Sequence, residues 1–214
     1  MNKQIQSPDH ALTATTAAVV LFVAMLSAPA IAGKDNYQAN WHRSPHQLQV
    51  DVAEAATRFV FDDAPVFEED GFPAHGNSFV TQGYIYPGGF LDDHEGVTEA
   101  GEPTYPERVI GEWICRGWFI GDGAHTQTGP WVISTQQLDF YKNAGWDPQR
   151  ERDFGYRTLV TEGYELADIG KPIKRAISGG TGRYAQARGQ VVQTLLGFGP
   201  GMAVKQRYQI KVRH

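Results

Sequence analysis

The chain is poor in cysteine and has no strong charge of one sign. One cysteine, Cys115, in 214 residues excludes an internal disulfide, so the fold must hold together by its core. Cys115 lies in an apolar run, where a buried, inert thiol is the expectation. The formal net charge of −5 removes the electrostatic case for a nucleic-acid partner. There is no internal repeat, no low-complexity tract, and no convincing long helix beyond residue 33. The apolar run inside 17–32 is too short to span a bilayer comfortably. No Gly-x-Ser-x-Gly and no Cys–His arrangement points to a nucleophilic enzyme. Seven histidines raise a metal reading. His42 and His46 are separated by Ser-Pro with no helix signal, and Asp92, Asp93, His94 and Glu95 lack an EF-hand pattern, so 91–96 reads as a solvated acidic loop. No metal or other cofactor is expected.

Aromatic residues make up 12% of the chain, and there are 24 glycines, a composition that leans toward strands and turns. Residues 17–32, AAVVLFVAMLSAPAIA, end in Ala30-Ile31-Ala32, an A-x-A cleavage pattern. This predicts an exported protein, periplasmic or secreted, cut after Ala32 and left with no stable membrane anchor. The expected layout is a signal peptide over 1–32, an N-terminal arm with a possible first strand over 33–61, and an antiparallel β-barrel over 62–214. Within the arm, QLQVDV alternates like a strand, and VAEAATRF has a helical turn in it.

Strand signals follow at 78–87, 108–121, 130–141, 156–166, 173–180, 187–196 and 202–212, separated by turn residues. Seven or eight strands with short connections suit an antiparallel meander. Closing it into a barrel removes the exposed edges, and a sandwich is the alternative.

The stretch AISGGTGRYAQARGQV (176–191) carries four glycines. A phosphate loop would need a helix after it and, in the Walker pattern, a lysine. Here the β-branched and apolar QVVQTLLG follows instead. The stretch therefore reads as a strand connection that needs positive φ, with Gly189 allowing close packing at a barrel corner. It resembles the G-G-T-G-x-[FY]-x-x-A-R-G signature of the dirigent and allene oxide cyclase barrel superfamily. Gly179, Gly180, Thr181, Gly182, Tyr184, Ala187, Arg188 and Gly189 supply the matching positions. IGEWICRG (110–117) resembles the G-x-W-x-C-x-G strand of bacterial allene oxide cyclase barrel-like proteins and departs from the plant dirigent pattern. The resemblance spans roughly 78–213. It implies an all-β, eight-stranded antiparallel barrel, commonly a homotrimer, that shapes the path of a reactive small molecule without a cofactor. The function it implies is the cyclisation, isomerisation or stereoselective coupling of an apolar oxygenated ligand. A lipocalin-like carrier with no chemistry is the alternative.

Candidate site residues follow from strand alternation. Glu112 and Arg116 share one face of 111–120 with Ile114 and Trp118, and Trp113, Cys115 and Phe119 share the other. If the first face lines the lumen, a carboxylate and a guanidinium meet the ligand. If the second does, they face solvent. Glu162, with Val160 and Tyr164 on its face, is a third candidate acid or base. Tyr84, Tyr86, Trp118 and Tyr164 are candidate ligand-binding side chains. Arg188 is expected to brace the barrel by bonding carbonyls or a carboxylate. Apolar residues on both faces of 108–121 leave one set looking outward, which suggests a subunit interface, the alternative being that residues 33–61 fold back and cover it within one chain.

Overall fold

The computed structural model describes residues 47–126, 128–150 and 156–213. The predicted export signal and the arm as far as residue 46 lie outside them. Among the described residues nine strands form one sheet: β1 (Gln47–Glu54), β2 (Val60–Phe61), β3 (Ser78–Pro87), β4 (Gly111–Phe119), β5 (Pro130–Phe140), β6 (Thr158–Leu166), β7 (Pro172–Gly180), β8 (Arg188–Phe198) and β9 (Val204–Arg213). From β3 to β9 each strand pairs antiparallel with the next. β9 pairs with β1, and β1 pairs with β3, so eight strands close into a barrel. The two-residue β2 continues the line of β1 along β3 after a short 3₁₀ turn at Ala56–Arg58. Closure leaves none of these eight strands as a free edge. Among the described residues the first strand is β1, in the segment expected to hold an arm and a possible first strand, and its Val50 and Val52 enter the same core as the later strands.

Alternation sets the inside. Along β4 the buried positions are Gly111, Trp113, Cys115, Gly117 and Phe119, so the face carrying Trp113 and Cys115 looks inward. Leu138, Phe140, Leu159, Ile177, Val191, Ile210 and Val212 fill the end of the barrel where β5, β7 and β9 finish. Fully burying one such side chain stabilises the fold by roughly 1.5–3 kcal/mol.

The glycine stretch joins β7 to β8, antiparallel neighbours, and no long helix follows it. Its glycines are needed for contact as well as for φ. A Cβ on Gly180 would sit 2.3 Å from the Thr158 carbonyl oxygen, and one on Gly182, at φ +53, would sit 1.8 Å from that of Tyr156. Gly189 presses on the Lys211 carbonyl in the same way, at 2.1 Å. Arg188 is exposed and donates to the Ser178 and Ala187 carbonyls at 3.2 and 2.9 Å.

The long connection between β3 and β4 folds back over the outside of β1 and β3. There it covers Ala53, Ala55, Tyr84 and Tyr86 and builds a second, smaller hydrophobic cluster.

Candidate functional site

The opposite end of the barrel, where β1, β4, β6 and β8 finish, is polar inside. Every barrel strand sends a polar side chain into it: Glu54, Thr81, Cys115, Ser134, Glu165, Arg175, Gln193 and Gln206, from β1 and β3 to β9 in turn. Glu165 is the hub. Its Oε1 accepts from Ser134 Oγ and from Cys115 Sγ at 3.1 Å. Its Oε2 accepts from Gln193 Nε2 at 3.0 Å and Gln206 Nε2 at 3.1 Å. Arg175 Nη1 lies 3.9 Å from Oε1.

Arg175 is held as tightly. It donates to the carbonyls of Tyr164 and Ser134, both at 2.9 Å, and to Thr161 Oγ1 at 3.3 Å. Gly163 makes the room, since a Cβ there would come within 3.3 Å of the Arg175 backbone and side chain. Farther in, Thr161 donates to Gln136, Gln136 donates to Gln193, and Tyr208 donates to Gln206. Such a network is favourable in a low dielectric only when its members are satisfied.

A second carboxyl, Glu54, shares the lumen. Thr81 Oγ1 is 2.6 Å from its Oε1, and the Val204 N–H donates to Oε2 at 2.8 Å. The two carboxyls titrate in opposite directions. Burial pushes Glu54 above the ordinary range, and the Glu165 charge pushes it the same way against its two hydrogen bonds. Burial also raises Glu165, but Arg175 and the surrounding donors outweigh it and hold that carboxyl below its usual range. Burial and Glu165 drive the Cys115 thiol well up, and burial does the same to the Tyr208 phenol. Both stay protonated at neutral pH.

Aromatic rings flank this end. Phe61, Phe59, Phe79, Phe119 and Trp131 run in a chain of ring contacts with centroids 5.3–5.9 Å apart. The indole N–H groups of Trp131 and of the core residue Trp113 are buried with no hydrogen-bond partner among the described residues. The carboxyls of Glu54 and Glu165 are both buried inside the barrel, with the aromatic row at the same end.

The structure corrects the sequence-based site. Arg116 and Glu162 lie exposed on the outer face, and Glu112 is half-buried on that face. The reason is parity: with Trp113, Cys115 and Phe119 inward, every other β4 residue points out, and registry carries the rule to β6. Trp118 and Tyr164 also point outward, 55% and 50% exposed. Tyr84 and Tyr86 are buried outside the barrel, where their hydroxyls meet the Gly101 and Gly96 carbonyls at 3.3 and 2.6 Å. The residues that line the lumen, Glu54, Glu165 and Arg175, were missed. A signal for Arg175 was present: it alternates with Ile173 and Ile177, and an arginine on an apolar stripe requires a buried anion.

No protein-family model matches the chain, and no curated protein matches it. Solved structures do. The pterocarpan synthase dirigent protein PsPTS1 superposes with a TM-score of 0.54 at 15% identity, covering 78% of this chain and 94% of the other. For the pterocarpan synthase dirigent protein GePTS1 the values are 0.52, 16%, 78% and 86%. A pyocyanin demethylase matches more loosely, with a TM-score of 0.45 at 13% identity over 78% of this chain and 99% of its own. At these identities the likeness to the dirigent proteins is one of fold: a closed antiparallel barrel.

Proposed function

We propose that this dirigent-type barrel takes an apolar oxygenated small molecule at its polar end and directs its cyclisation or isomerisation, with Glu54 as general acid and Glu165 as the anionic partner. The observation that carries the reading is the pair of buried carboxyls with opposite protonation preferences in one lumen. Groups whose environments push their pKa values apart divide into acid and base. Glu54 gives its proton to a ligand oxygen, and the positive character that develops is stabilised by ionised Glu165, which accepts the proton released from the rearranged skeleton. The aromatic row restricts the conformers the ligand samples, which lowers the entropic part of the barrier. The chemistry proposed draws on these side chains alone.

One observation favours a carrier instead. Four protein donors occupy Glu165, as in a carboxylate that braces a barrel. A single variant separates the readings. Native mass spectrometry of the purified protein and of Glu54→Gln is expected to find a retained small oxygenated ligand in both. The wild type should convert that ligand on incubation, and the Glu54→Gln variant should not. Equal conversion by both would remove Glu54 from the chemistry, and no conversion by either would leave a carrier.

Export and self-association belong to the same proposal. Trp118, Ile133 and Tyr164 stand side by side across β4, β5 and β6 on the outer face, 55%, 42% and 50% exposed. The next row is Arg116, Thr135 and Glu162, which offers both charges. A closed cyclic assembly, a trimer in this reading, would bury the apolar row without open growth.

A further inference from the structure

A cleft of about 400 Å³ lies outside the barrel, between the end of β3 and the β3–β4 connection. That is within the range of small-molecule sites. Its frame is built firmly. The Asp51 carboxylate, fully buried, accepts from the Gly89 and Leu91 N–H groups at 2.9 and 3.0 Å and is clamped by Arg207 at 2.8 and 2.9 Å. This fixes the turn that carries Phe90.

Three near-parallel rings follow from it. Phe90 stacks on Tyr86 at 4.8 Å and on His94 at 4.5 Å, both pairs 8° from parallel, and Tyr105 stands at right angles to Phe90 and His94. His94 Nδ1 lies 3.0 Å from the Phe90 carbonyl, which can only accept, so Nδ1 carries a hydrogen.

The charges of the lining are uneven. Asp93 and Glu107 bring two carboxylates, and Arg108 brings one guanidinium, 5.6 Å from the Phe90 centroid. The neighbouring acids are already paired, Asp92 with Arg207 and Glu95 with Lys205. The aromatic wall already draws in one cation, Arg108, and the lining still has one net negative charge.

We infer that this cleft is a second binding site, separate from the lumen, for a small organic monocation of the quaternary or protonated amine class. Its positive centre lies against Tyr105 and His94 and is balanced by Asp93 and Glu107. Cation–π attraction and one compensated charge supply the selectivity. A neutral ligand of the same shape gains neither.

The test uses the full chain, with choline as probe and 3,3-dimethylbutan-1-ol, its neutral isostere, as control, followed by ligand-observed NMR titration. Choline should bind saturably and about tenfold more tightly than the alcohol, the fold-change expected of about 1.4 kcal/mol. Glu107→Gln, at an exposed position, should weaken choline severalfold and leave the alcohol unchanged, and Tyr105→Leu should weaken choline as well. Equal binding of the two probes, no saturable choline binding, or choline affinity unchanged in Glu107→Gln would each overturn the assignment. The lumen variant Glu54→Gln should bind choline like the wild type, which keeps this result independent of the barrel chemistry.

Discussion

Replacing Arg175 with methionine tests whether the polar end of the barrel is organised around a buried charge pair. Arg175 is 1% exposed and gives hydrogen bonds to two carbonyls and a hydroxyl, with Glu165 3.9 Å away. Methionine keeps much of the volume and removes every donor. Breaking a buried pair by removing one partner costs about 3–5 kcal/mol, because the remaining charge is uncompensated. With an m-value of ~2 kcal/mol/M, the urea midpoint should fall by about 2 M at pH 7. The pH dependence identifies the cause. In the wild type the Glu165 carboxyl is depressed on folding, so its contribution is present above the unfolded pKa of about 4.3 and is lost as pH falls through the folded value. Without Arg175 the Ser134, Cys115 and glutamine donors remain, but the guanidinium no longer offsets burial, so the carboxyl moves up and acid relieves the variant. The gap between wild type and variant should therefore narrow from pH 7 toward pH 4. Adding Glu165→Gln to Arg175→Met should restore part of the loss. A deficit under about 1 kcal/mol at pH 7, or one that is constant with pH and additive with Glu165→Gln, would refute the charge-pair account.

Three further outcomes follow from the geometry. Gly182→Ala places a methyl 1.8 Å from the Tyr156 carbonyl at positive φ, so thermal unfolding should show a loss of at least ~2 kcal/mol, whereas Gly170→Ala, with open space around it, should lose only the smaller backbone cost of φ +77. Cys115 is buried with a raised pKa, so native protein should label with a thiol reagent at about pH 8 no faster than it unfolds, and rapid labelling would contradict the inward face of β4. Ile133→Arg, in the exposed apolar row, should shift sedimentation equilibrium from oligomer to monomer without changing the melting of the barrel itself; a wild type that is already monomeric at micromolar concentration would remove the interface.

Alternation, turn residues and the GGTG–ARG stretch were enough to read an antiparallel barrel with a glycine-dependent β7–β8 connection. These are local properties: period two follows from strand geometry, and glycine at a crowded carbonyl follows from the absence of Cβ. Orientation was not local. Both faces of 111–119 carry aromatic side chains, so either parity satisfies the pattern, and whether Glu112, Arg116 and Glu162 meet a ligand or solvent stays open in the sequence for that reason. Parity is settled only when eight strands close and the interior must fit one set of side chains. Glu54, Glu165 and Arg175 are far apart in the chain, on β1, β6 and β7, and the two carboxyls acquire their opposing pKa shifts from burial and from their neighbours. Tyr84 and Tyr86 show the same dependence. They read as lumen residues until a connection more than twenty residues long folds over the outside and gives them a core of their own. Strand identity is written in neighbouring residues, whereas the inside of a barrel is defined by contacts between strands, and those exist only once it has closed.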